Sequence, residues 1–196
     1  MLAIALLPLA AACGREPEVP EQRAPETAAA HVDSILPPHE ALRRFRTGLA
    51  EPAAGLGGGE RSIDSLVARW AGAVASHDTG TIRRLLLNRP EFAWLYYPSS
   101  PFAGPPYYQP PDLVWFQFQV NGEKGIVRVL RRLGGSDLRL RGVTCAEAPK
   151  VQGDNRIWER CMVRREVEGD TVSQRLFGGI IERDGRFKFI SYSNEM

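Results

Sequence analysis

The apolar pattern of this chain changes period at Gly134-Gly135, and that change fixes the class of fold open to it. Upstream, apolar residues recur three and four apart. Leu66, Trp70, Ala73 and Val74 form one such helical set, capped by Ser62 or Asp64 and broken at Ser76-His77-Asp78. Ile82, Leu85 and Leu86 form a shorter one, capped by Asp78 or Thr79 and stopped by Pro90. Ile126, Val129, Leu130 and Leu133 form a third stripe, for which Gly134-Gly135 supplies the C-cap. Downstream, the residues read as strands over 138–145, 156–167, 172–182 and 187–192. The last two are joined by Arg183-Asp184-Gly185, in which Asp-Gly is a strong hairpin signal. Helices followed by a mainly four-stranded antiparallel meander make an α+β plan, with the strands' apolar faces packed on the helices.

Residues 112–120 carry both periods. Phe116, Phe118 and Val120 alternate with Gln117 and Gln119 as in a strand, yet Leu113, Phe116 and Val120 after Pro110-Pro111 suit a helix, which is the favoured reading. Ahead of the main domain (61–196), residues 34–49 form an amphipathic helix with Leu42, Phe45 and Leu49 on one side and Arg43, Arg44 and Arg46 on the flanks. Such a helix docks on the domain that follows or lies on a membrane surface, and docking is favoured. Residues 50–60 (EPAAGLGGGE) read as a flexible linker by their glycine content.

Composition excludes several classes of function. With 43% hydrophobic residues the chain is not disordered as a whole. No run of about 18 uncharged apolar residues marks a membrane-spanning helix. The 25 basic residues, all arginine except Lys124, Lys150 and Lys188, are spread among 23 acids, so no basic block marks a nucleic-acid surface.

The N-terminus points to a compartment. Residues 1–12 (MLAIALLPLAAA) are uncharged and end in small residues, as a secretory signal does, and Cys13 follows. Ala10-Ala11-Ala12-Cys13 resembles the lipobox of bacterial lipoproteins, with Ala10 where that family usually has leucine. The resemblance implies cleavage of 1–12 and lipidation of Cys13, hence a membrane partner reached through an N-terminal lipid. Gly14 after the cysteine resembles the outer-membrane sorting pattern of enterobacteria, which implies an outer-membrane protein facing the periplasm. Residues 13–33, rich in Pro, Glu and Ala, have little to bury and read as an extended tether. With Cys13 lipidated, Cys145 and Cys161 remain as an even pair in two strand-like segments. If those strands are neighbours, a disulfide fits, and an oxidising compartment lets it persist. No CxxC spacing and no histidine beyond His77 supports a metal site, and no cofactor motif is present.

The order of elements resembles the NTF2-like (SnoaL-like, cystatin-like cone) superfamily over most of 61–196. The residues that carry the likeness are Trp70, His77-Asp78, Ile82 and Leu86 at one end and the closing hairpin 177–192 (FGGIIERDGRFKFISY) at the other. The resemblance implies helices set in a strongly curved antiparallel sheet around an apolar pocket, used by some members for isomerisation or dehydration and by many for binding alone.

More than half of the aromatic residues fall in 91–119, among several prolines. Tyr96-Tyr97 and Tyr107-Tyr108 flank a loop, 98–106, that proline stiffens, and tyrosines suit recognition because a large apolar face carries a hydroxyl. With Trp115 they are the candidate residues for a small apolar ligand or an envelope protein partner, while Phe92 and Phe116 read as core. The alternative is a small isomerase or lyase in which Asp112 or Glu123 works with a tyrosine acid. His77, near a helix end, reads as structural.

Overall fold

The computed structural model describes residues 36–53 and 55–195. The signal-like run, Cys13 and the tether, at 1–33, lie outside the described residues. The first helix, α1 (Pro38–Phe45), begins where Pro37 and Pro38 supply helix-compatible φ without needing a donated hydrogen bond. It is shorter than the 34–49 of the sequence pattern, and it docks on the domain. Phe45 meets Phe92 edge-on at 5.7 Å, the Arg46 guanidinium stacks 3.9 Å over Trp94, and Arg46 donates to the Ala93 carbonyl at 3.1 Å. The glycine-rich stretch expected to be a free linker is also laid down on the domain. Leu56 is buried, and Glu60 exchanges backbone hydrogen bonds with Phe187 at 2.8 and 3.0 Å.

Helix α2 (Ile63–Ala75) starts in a reciprocal capping box between Ser62 and Ser65, and α3 (Thr79–Arg84) starts where Asp78 accepts from the Thr81 N–H at 2.9 Å. A single turn, α4 (Arg89–Glu91), runs into a π-helical turn at Phe92–Tyr96 and two 3₁₀ turns at Tyr97–Ser99 and Pro101–Ala103. Residues 112–120 are helical, the first half of one long helix, α5 (Pro111–Leu133), that ends at Gly134. Gly125 in its middle cannot be replaced without movement, since a Cβ there would lie 1.7 Å from the Tyr192 carbonyl oxygen.

The class is α+β, but the sheet differs from the four strands expected. Among the described residues, seven strands form two antiparallel sheets. One has the order β1 (Leu140–Cys145), β4 (Cys161–Val167), β5 (Asp170–Gln174). The other has the order β2 (Lys150–Gln152), β3 (Asn155–Trp158), β6 (Ile180–Arg183), β7 (Arg186–Phe189). Two expected strands are thus each divided, 156–167 into β3 and β4 and 172–182 into β5 and β6. The halves keep the same partners, because β3 pairs with β6 as β4 pairs with β5, but the register slips. Arg156 faces Glu182, and continuing that register would set Val163 opposite Arg175, whereas it faces Gln174. One extra residue on one side bends the ladder. At the slip, Arg160 takes a left-handed φ of 50° and residues 175–179 leave the ladder. Strands β1 and β4 are neighbours, Cys145 stands directly opposite Cys161, and the two are joined in a disulfide.

The four-stranded sheet is covered on both faces. Trp158, Ile180 and Phe189 lie opposite one another across β3, β6 and β7 and join Trp70 of α2, Phe177 and Tyr192 in one core. The adjacent row, Ile157, Ile181 and Lys188, faces a second core of Phe45, Phe92, Tyr96, Tyr97 and Val114. Lys188 is buried in that row, and its ammonium meets the equally buried Glu91 carboxylate at 2.9 and 3.1 Å. Glu91 also accepts from the Asn88 N–H, which closes the cap of α4.

Removing one member of a buried pair strands the other charge. Lys188→Met is therefore expected to cost about 3–5 kcal/mol in urea unfolding, and Glu91→Gln with Lys188→Met to recover much of the loss. A single-variant cost below about 1 kcal/mol, the range of exposed pairs, would contradict this burial.

Candidate functional site

The slip that divides the sheet also opens a cavity of about 300 Å³. The broken strands supply Glu159, Arg160 and Arg175 to its wall, and Gly178-Gly179 leave room there. Tyr96, Phe102 and Phe118 close it from the aromatic layer and α5, with Ile157 and Ile190 beneath. Tyr96 is the last residue of the π-helical turn, a local widening often found at functional sites. Its ring packs on Phe118 at 5.5 Å and on Phe92 at 5.9 Å. Burial, with a smaller contribution from the nearby Glu159 carboxylate, raises the Tyr96 phenol well above its usual range. Tyr96 thus presents a neutral O–H at physiological pH.

The polar groups of this wall are unevenly satisfied. Lys150 holds Glu159 at 2.6 Å, Glu147 pairs with Arg160, and Glu195 takes Nη1 of Arg175 at 2.6 Å. Two buried atoms, Arg175 Nε and Gln152 Oε1, find no hydrogen-bond partner among the described residues. Both residues line the cavity. The cavity therefore has an aromatic and aliphatic side, from Tyr96, Phe102, Phe118, Ile157 and Ile190, and a polar side on which one buried donor and one buried acceptor await a partner.

The residues expected from the sequence are dispersed. Only Tyr96 lines this cavity. Tyr97 is buried and donates to the Gln109 carbonyl at 2.7 Å, tying down the loop that follows it. Tyr107 and Tyr108 are exposed, and Trp115 is half-buried against Phe92 at 5.2 Å. Phe92 is core as expected, whereas Phe116, also expected in the core, is exposed. Asp112 lies exposed in the first turn of α5. Glu123 is gripped by the Arg83 guanidinium at 2.9 and 3.0 Å, which lowers its carboxyl below the usual range. Neither carboxylate lines the cavity, and Glu159 is the acid that does.

Gln152, Glu159, Arg160 and Arg175 were missed by sequence reasoning. The signal for them was Gly178-Gly179 inside an apparent strand, a mark of a bulge or a close approach. Among the described residues, no group of His, Cys, Asp or Glu side chains is arranged to hold a metal ion. Comparison with family models, with curated proteins and with solved structures finds no match to this chain.

Burial raises the phenols of Tyr96, Tyr97 and Tyr192 above the ordinary value of 10.0. As pH rises past that value the unfolded chain sheds phenolic protons that the folded chain keeps, so stability falls. The loss of urea midpoint between pH 9 and pH 11 (about one unit either side of that value) should be smaller in Tyr96→Phe than in the parent protein. An identical loss in the two would contradict a buried, neutral Tyr96.

Proposed function

We propose that this chain is a lipoprotein of a bacterial cell envelope, anchored through Cys13 to the outer membrane on its periplasmic side. Its folded domain, an NTF2-like cone, holds a small amphipathic ligand without transforming it. The signal-like run ending in Ala10-Ala11-Ala12-Cys13 and the polar tether after it support the anchor. The disulfide between Cys145 and Cys161 is in keeping with an oxidising compartment. Support for the cone comes from the element order and from the bend at the register slip, beyond which Cys161 and Val163 of β4 join the core of Trp70 on α2 while Ile157 and Ile181 face the aromatic layer.

The observation that carries the binding reading is the pair of buried atoms, Arg175 Nε and Gln152 Oε1, that find no partner among the described residues, in a cavity with an aromatic side and a polar side. Buried polar atoms are costly when left alone, and a ligand with a polar end and an apolar body satisfies both requirements. The ligand expected from the sequence was simply apolar; the arginine adds preference for an acidic end. At about 300 Å³ the space takes roughly ten water-sized groups, the size of a medium-chain fatty acid. An isomerase or lyase centred on Asp112 or Glu123 gains no support, since both stand away from this cavity.

Titration of the folded protein with octanoate in a calorimeter tests this. Saturable one-site binding is expected, weakened about tenfold, or about 1.4 kcal/mol, by Arg175→Gln and unchanged by Glu123→Gln. Absence of saturable binding, or equal binding by Arg175→Gln, would contradict the reading.

A further inference from the structure

Helix α5 has a second face that the domain leaves uncovered. Its core side buries Val114, Gly122, Gly125, Ile126 and Val129. On the opposite side Leu113, Phe116, Val120, Lys124, Val127 and Arg131 recur three or four residues apart, which places them in one stripe. Leu113, Phe116 and Val127 are 45%, 60% and 54% exposed, unusual values for side chains of this kind on one surface. The stripe is apolar toward the N-terminus of the helix and cationic toward its C-terminus. Lys124, Arg128, Arg131 and Arg132 line a shallow depression there with Val127 and Glu123. Glu123, the acid among them, is already neutralised by Arg83, and Arg131 and Arg132 make no ion pair among the described residues. A net positive charge is therefore left facing solvent.

From this arrangement we infer that the outer face of α5 is a docking surface for an anionic phospholipid bilayer. Its apolar residues enter the headgroup boundary while its cations meet lipid phosphates. A basic amphipathic helix face binds membranes in this way, through buried apolar area together with attraction to anionic lipid. A second copy of the chain fits less well. Laid antiparallel, it would set the cationic end of one helix on the apolar end of the other; laid parallel, it would set cations on cations. The stripe runs roughly 27 Å along a convex helix, at 1.5 Å per residue, and a fluid surface accommodates that shape without a preformed groove. This inference stands apart from lipidation at Cys13 and from ligand binding in the cavity.

Flotation of the full chain carrying Cys13→Ser, which removes the acylation site, tests it. Vesicles of equal parts phosphatidylglycerol and phosphatidylcholine are compared with vesicles of phosphatidylcholine alone. Excess partition onto the anionic vesicles is expected, lost at high salt. It should fall roughly tenfold or more in Arg131→Glu with Arg132→Glu, and likewise in Leu113→Ser with Phe116→Ser. All four of these side chains are exposed, and circular dichroism checks that each variant keeps its fold. Equal partition onto both vesicle types, or unchanged partition in the variants, would overturn the inference. So would a concentration-dependent dimer that the same substitutions abolish without any vesicle binding, which would assign the face to a second copy.

Discussion

Lys188 sits in a row of β-branched side chains, on the face of a sheet where a charge has no access to water. Burying an ammonium there is tolerable only with a carboxylate in direct contact, and Glu91 is that carboxylate. Much of the architecture follows from the position of Glu91. Both of its oxygens accept from Lys188 and Oε2 also accepts from the Asn88 N–H, so the same side chain that neutralises Lys188 also starts α4. The π-helical turn begins at the next residue, carries Phe92 onto the sheet and ends with Tyr96 at the cavity. The ion pair thus fixes where the aromatic layer begins, and with it which aromatics are core and which line the cavity.

The other face of the same sheet is conventional, with Trp70 of α2 among Phe177, Phe189 and Tyr192. What makes room between the layers is the one-residue slip along the long strand pair. The slip takes residues 159–160 and 175–179 out of that ladder, Gly178 and Gly179 bonding to Ser191 and Ile190 instead, and puts Glu159, Arg160 and Arg175 in the cavity wall. The disulfide closes the adjoining edge, since Cys161 is the first residue of β4 beyond the bend and is bonded to β1. The cavity is consequently walled by aromatic side chains on one side and by the charged residues at the slip on the other.

The helices were legible because their signals are local. Ser62, Asp78 and Gly134 each stand at a helix end, and the favoured helical reading of 112–120 holds because Pro110-Pro111 preset the first turn. The strands were legible as apolar segments but not in their breaks. Glu159-Arg160 interrupts 156–167 without glycine or proline, and the short β2 lies in a stretch that reads as turn. Those breaks come from long-range pairing, which a single sequence does not display. The same reason explains the site residues. Tyr96 and Tyr97 are neighbours in sequence and equally aromatic, yet only the π-helical turn and the Gln109 carbonyl decide that one lines the cavity and the other anchors a loop. Phe116 read as core because its helical spacing from Leu113 and Val120 is regular; that spacing is real, but it marks the outward stripe of α5.

The acyl anchor and tether proposed for the N-terminus, with the cavity and the outward cationic–apolar face of α5, would together make a binding module held close to a membrane. The most direct test of that account is the intact mass of the protein extracted from membranes of its native host, taken under native and then denaturing conditions. The expected denatured mass is that of a chain cleaved before Cys13, with added acyl groups and two hydrogens fewer for the disulfide, and the expected native mass exceeds it by that of a small ligand. A mass equal to the unprocessed, reduced polypeptide would contradict the account at its foundation.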